Sequence, residues 1–134
     1  MKYLKLVLIL GLMLAGILGT ETARAQAALP GEIRTAIKNG SSRDLAKFLN
    51  STVEIGLNGD KSPYSKTQAE FVLKDFFSKN PPVGFEFEHQ GGSDKGQRYA
   101  IGTYNSKTGL HRVFVVVKQV GGVYLIDTID FTKK

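Results

Sequence analysis

An α+β fold is what this sequence predicts: a helical hairpin and a third helix packed on one face of a curved antiparallel sheet. Three observations carry that expectation. Helical periodicity is concentrated before Pro81-Pro82. Nearly everything after that pair alternates in the manner of strands, broken by short glycine-containing turns. No internal repeat or long linker divides the 134 residues, which suffice for one domain.

The elements follow in order. Leu29-Pro30-Gly31-Glu32 opens a helix, because proline is tolerated in a first turn where its missing N–H costs nothing. Leu29, Ile33, Ala36 and Ile37 share its apolar face, and Asn39-Gly40 ends it. Ser41-Ser42-Arg43-Asp44 resembles a capping box with a short acid, and starts a second helix with Leu45, Phe48 and Leu49 inward. Residues Thr52–Leu57 alternate as a strand and stop at the turn Asn58-Gly59-Asp60. Ser65 and Gln68 then form a better capping box for a third helix that runs to about Lys79, where the prolines prevent continuation.

In that helix Ala69, Val72, Leu73, Phe76 and Phe77 occupy one arc, while Phe71 falls on the polar side between Lys74 and Asp75. A helix sandwiched between sheet and hairpin accounts for it, so Phe71 is expected to be buried on Leu45, Phe48 or Leu49. Four strands complete the order α-α-β-α-β-β-β-β: Phe85–His89, Arg98–Asn105, Leu110–Gln119 and Val123–Phe131, separated by GGSDKG, SKTG and GG.

Turn lengths set a register. A two-residue loop at Gly121-Gly122 and a four-residue loop at Ser106–Gly109 generate the rows Tyr99–Val116–Asp127, Ile101–Phe114–Ile129 and Thr103–Arg112–Phe131. This face has the larger side chains and is assigned to the helices. The opposite face gathers Tyr104, Val113, Val115, Val117, Tyr124 and Ile126. A sheet face turned to water is normally polar, so a homodimer through this outer face is expected as its cover.

The N-terminus predicts export. Lys2 and Lys5 precede an apolar run, Leu6–Leu18, and Ala23-Arg24-Ala25 offers a cleavage site before Gln26. Residues 1–25 read as a signal peptide, and residues 26–134 as a single periplasmic or secreted domain with no membrane span. With no cysteine there is neither a lipoprotein anchor nor a disulfide, so stability must come from an ordinary core. Removing Lys2, Lys5, Glu21 and Arg24 lowers the net charge from +6 to +4, and the remaining cations are scattered. Nothing there forms the dense basic, aromatic-interleaved patch of a nucleic-acid binder.

Few residues carry chemistry. Asp127 is expected inside, flanked by Leu125 and Ile129 with Tyr99 two strands away, where burial would favour a general base. Tyr99, Arg112, Phe114 and Asp127 are the candidate ligand-binding residues; Arg112 would meet an anionic group. His89 and His111 are the only histidines and lack metal-ligand spacing, so neither metal nor cofactor is expected. GGSDKG joins two strands, not the strand and helix that a phosphate loop requires.

The element order and the phrases VEIGL, YSKTQAE, LKDFF, RYAIGTYNSKTG and FVVVKQ…YLIDTIDF resemble the nuclear transport factor 2-like, cystatin-like cone superfamily. Within it, residues 28–134 are most similar to the exported domain of unknown function 4783 family, which has no assigned activity. The resemblance implies a cone-shaped domain and, since superfamily members often pair through their sheets, it adds weight to the dimer. Steroid-isomerase and polyketide-cyclase relatives use acid–tyrosine arrangements, which makes Asp127 with Tyr99 the enzymatic alternative. No catalytic motif accompanies it. The expected function is therefore non-enzymatic: binding of a small apolar or amphipathic ligand, or a protein partner, through the cone. A purely structural accessory dimer is the remaining alternative.

Overall fold

Capping chemistry sets the helix ends. The computed structural model describes residues 29–92 and 95–134; the signal-peptide reading of residues 1–25 lies outside them. Helix α1 (Gly31–Asn39) begins after Pro30 and ends on Gly40, whose left-handed φ of 62° lets its N–H close onto the last turn. Helix α2 (Ser42–Ala46) is capped by Ser41, whose hydroxyl accepts the Asp44 N–H at 3.1 Å. Helix α3 (Lys66–Lys79) has both halves of the Ser65–Gln68 capping box.

Six strands form one sheet: β1 (Leu49–Leu57), β2 (Asp60–Ser65), β3 (Pro82–Gly92), β4 (Gln97–Ser106), β5 (Gly109–Val120) and β6 (Val123–Lys133). Their spatial order is β2-β1-β6-β5-β4-β3, antiparallel except where β1 runs beside β6. The α+β order expected from the sequence is present, with β2 added. Asn58 and Gly59 take positive φ in a tight turn that returns the chain as β2. This edge strand is exposed nearly throughout and contains Pro63, so it lacks the alternating apolar signal that marks the others.

The β4–β5 ladder has the expected register, with Tyr99 opposite Val116, Ile101 opposite Phe114 and Thr103 opposite Arg112. The β5–β6 ladder starts as expected, Val120 opposite Val123 and Val117 opposite Ile126, then slips: Val116 pairs with Thr128. Asp127 is the extra residue of a β-bulge. Beyond it Ile129 pairs with Val115 and Phe131 with Val113, where an unbroken ladder would give Phe114 and Arg112.

The faces are consequently the reverse of the sequence assignment. Ala100, Tyr104, Val113, Val115, Val117, Ile126, Ile129 and Phe131 are buried against the helices, whereas Tyr99 is 41% exposed. The second apolar face needs no partner molecule to cover it; the helices do so. The face bearing Tyr99, Ile101, Arg112 and Phe114 is the outer one.

Aromatic rings fill the space between the helices and the sheet. Phe76 of α3 stacks at a tilt on Phe131, centroids 4.1 Å apart, and lies within 5.7 Å of Phe77, Tyr104 and His111. Burial pushes the Tyr104 phenol above its ordinary range, and its hydroxyl donates to the Asn80 carbonyl at 2.6 Å. Asn80 also accepts from Thr108 at 2.5 Å, which fastens the end of α3 to the β4–β5 turn. Arg34 of α1 makes an ion pair with Glu86 of the edge strand β3.

Phe71 is 66% exposed, contrary to the expectation of burial. Helix α2 has only five residues and buries Leu45 and Ala46. What faces Phe71 is its polar start, Ser42 and Arg43, across a shallow hollow.

Two outcomes follow for stability. Phe131→Ala is expected to cost about 3–5 kcal/mol in chemical denaturation, as for other buried aromatic truncations. Phe71→Ala is expected to stay within about 0.5 kcal/mol of wild type, as for surface changes. Equal losses would contradict this packing. His111 is 2% exposed and its Nδ1 has no hydrogen-bond partner. Burial, assisted by Lys133, holds its imidazole below the ordinary range, against a smaller opposing contribution from the Gly109 backbone. Protonation thus favours the unfolded chain: stability is fully present above about pH 6.5, the unfolded value, and is lost as pH falls through the folded one. Melting wild type and His111→Asn between pH 7.5 and pH 5 should show a shallower decline for the variant; parallel declines would contradict the assignment.

Candidate functional site

Strand alternation places Tyr99 on β4 and Arg112 and Phe114 on β5 on the same outer face. The Tyr99 and Phe114 rings are neighbours, 6.3 Å between centroids. All four sequence candidates share that surface, which is the one opposite to the face expected. Asp127 does not enter the interior either. It stays on the face of Tyr99 and Val116, which is the outer one, and its carboxylate meets the Lys118 ammonium at 3.3 Å. Asp127 is therefore not the buried acid that the base reading requires; with Lys118 it forms a partly exposed ion pair.

Two grooves meet on this face. One, of about 510 Å3, runs from the β1–β2 turn across Lys61, Ile101, Arg112, Phe114 and Asp130. The other, of about 210 Å3, is bordered by Arg98, Tyr99, Phe114 and Val116. Phe114 belongs to both, so together they form one shallow trough with an apolar floor. By contrast, the helix-facing side of the sheet is occupied by the rings of Phe76, Phe77, Tyr104 and Phe131.

Charges are concentrated at the end near the β1–β2 turn. Asp130 lies there with little exposure, accepting the Thr132 hydroxyl at 2.7 Å and facing the Lys61 ammonium at 3.9 Å. It can lie so close because residue 56 is glycine; a Cβ there would strike the Asp130 carboxylate. Sequence reasoning missed Lys61 and Asp130. Lys61 belongs to the edge strand β2, which the sequence pattern does not reveal, and an unbroken β5–β6 ladder would set Asp130 opposite Val113 on the other face instead of opposite Phe114. Among the described residues no group of three or more His, Cys, Asp or Glu converges as a metal site would require.

The model of the domain of unknown function DUF4783 matches residues 30–132. The chain belongs to the DUF4783 family. A DUF4783 protein from Bacteroides ovatus is 33% identical, covering 81% of this chain and 97% of its own, with a TM-score of 0.77. Another, from Bacteroides fragilis, is 29% identical, covering 80% of this chain and 100% of its own, also with a TM-score of 0.77. A candidate dehydratase of the nuclear transport factor 2-like family, from Streptomyces avermitilis, is 10% identical over 78% of this chain and 89% of its own. Its TM-score of 0.57 shows a shared fold and nothing about activity. No curated protein matches the chain.

An outward Asp127 can be tested by removing its charge. Asp127→Asn is expected to fold normally and to lie within about 1 kcal/mol of wild type in urea denaturation, because a partly exposed ion pair contributes little. A loss of several kcal/mol would place the carboxylate in a buried network instead.

Proposed function

We propose that this DUF4783 domain is a non-catalytic binding domain that works through the outer face of its sheet, not through the interior of its cone. One observation supports the reading above others: the interior is packed with aromatic rings, while the outer face carries a trough with Phe114 at its centre. An apolar floor with a few polar groups at one end is the usual make-up of a small-molecule site. The signal-peptide reading of residues 1–25 places this activity in a periplasm or outside the cell.

Titration with 1-octanol, followed by amide chemical shifts, tests the proposal. Shifts are expected to concentrate at Ile101, Phe114 and Val116. Shifts centred on Phe76, Tyr104 and Phe131, or none at all, would contradict it.

A second copy of the chain is the other reading of this face. It is favoured by the exposed Tyr99, Val120 and Val123 on the two central hairpin strands and their neighbour. Sedimentation separates the two readings. A dimer that Phe114→Lys converts to monomer supports self-association, whereas a wild-type monomer leaves the trough to a ligand.

A further inference from the structure

The charges around the trough differ in how completely they are engaged. Asp130 is held by the Thr132 hydroxyl and faces Lys61. Glu88 accepts from the Thr103 hydroxyl at 2.7 Å, and that same oxygen receives the Lys134 ammonium at 3.1 Å. Arg112 stands opposite Thr103 in the ladder and has no carboxylate partner among the described residues. Its guanidinium is exposed at the charged end of the trough, one alternation from Phe114. A planar fork of donors with nothing to bind, beside an apolar floor, is complementary to an oxyanion carried on a hydrocarbon.

We infer that the outer trough takes a free amphipathic carboxylate of medium chain length. The inference rests on the outer-face reading above and adds the ligand's chemistry and orientation. The carboxylate pairs with the Arg112 guanidinium, and the hydrocarbon lies over Ile101 and Phe114 toward Val116 and Tyr99. From Arg112 to Val116 is four strand residues, or about 13 Å of floor, a length suited to a medium acyl chain. The neighbouring charges decide the charge of the headgroup. Lys61 and Lys134 offset Asp130 and Glu88, which leaves the single charge of Arg112 uncompensated, a match for a carboxylate monoanion rather than a phosphate dianion. A neutral alcohol of the same length keeps the apolar contacts and gives up the charge-assisted hydrogen bonds.

Calorimetric titration of the domain with octanoate and with 1-octanol, below their aggregation limits, tests this. Wild type is expected to bind octanoate about tenfold more tightly than 1-octanol, the worth of one hydrogen-bonded charge. Arg112→Gln should remove that difference while leaving 1-octanol binding unchanged, and added salt should weaken octanoate alone. Equal affinities in wild type would overturn the carboxylate inference while leaving the outer-face reading intact. A preference for octanoate that survives in Arg112→Gln, or tighter binding of octyl phosphate, would overturn it as well. Failure of both octanoate and 1-octanol to bind would remove the trough as a ligand site altogether.

Discussion

One inserted residue determines which side of this sheet becomes the core. Without the bulge at Asp127, Ile129 and Phe131 would continue the rows of Phe114 and Arg112 and lie on the outer face. With it, both side chains cross to the helix side, where Phe131 meets Phe76 at 4.1 Å and joins the rings of Phe77 and Tyr104. Strand alternation has a period of two, so a shift of one residue moves every later side chain to the opposite face. The bulge therefore settles two matters together: the interior acquires its largest rings, and the outer face loses two apolar residues.

That trade separates this domain from a simple picture of a cone as an open cup. Phe76 and Phe77 on α3 fill from one side and Tyr104, His111 and Phe131 fill from the other, while Asn80 clasps Tyr104 and Thr108 at the closed end. Space remains on the far side of the sheet, where Ile101, Phe114 and Val116 are only partly covered. The edge hairpin β1–β2 supplies Lys61 to that side, and Gly56 admits the Asp130 carboxylate beneath it. Polar and apolar groups thus meet at one end of a trough built by five different strands. Family membership and shared fold assign it no occupant.

Much of this architecture was legible in the sequence because it is locally encoded. Ser41, Ser65 and Gln68 cap the helices they were expected to cap, Gly40 takes the left-handed turn, and the SKTG and GG loops set the β4–β5 register and the start of β5–β6. The bulge was not legible. Leu125-Ile126-Asp127-Thr128-Ile129 reads equally well as unbroken alternation, and the choice between faces lies in packing against Phe76, far away in the chain. From that single slip came the reversed faces, the inward Asp127 and the expectation of an uncovered valine face. Tyr99, Arg112 and Phe114 were nevertheless grouped correctly, since their mutual register depends on the β4–β5 loop alone. Phe71 failed for a different reason: capping signals mark where α2 begins, but its brevity depends on β1 starting at Leu49.

The most direct measurement is cross-strand proton–proton contact along β5 and β6 by nuclear Overhauser spectroscopy. Contacts pairing Val115 with Ile129 and Val113 with Phe131, together with contacts between the Phe131 and Phe76 rings, are the expected result. Contacts pairing Phe114 with Ile129 and Arg112 with Phe131 would show an unbroken ladder. They would return Phe131 to the outer face and contradict both the filled interior and the trough.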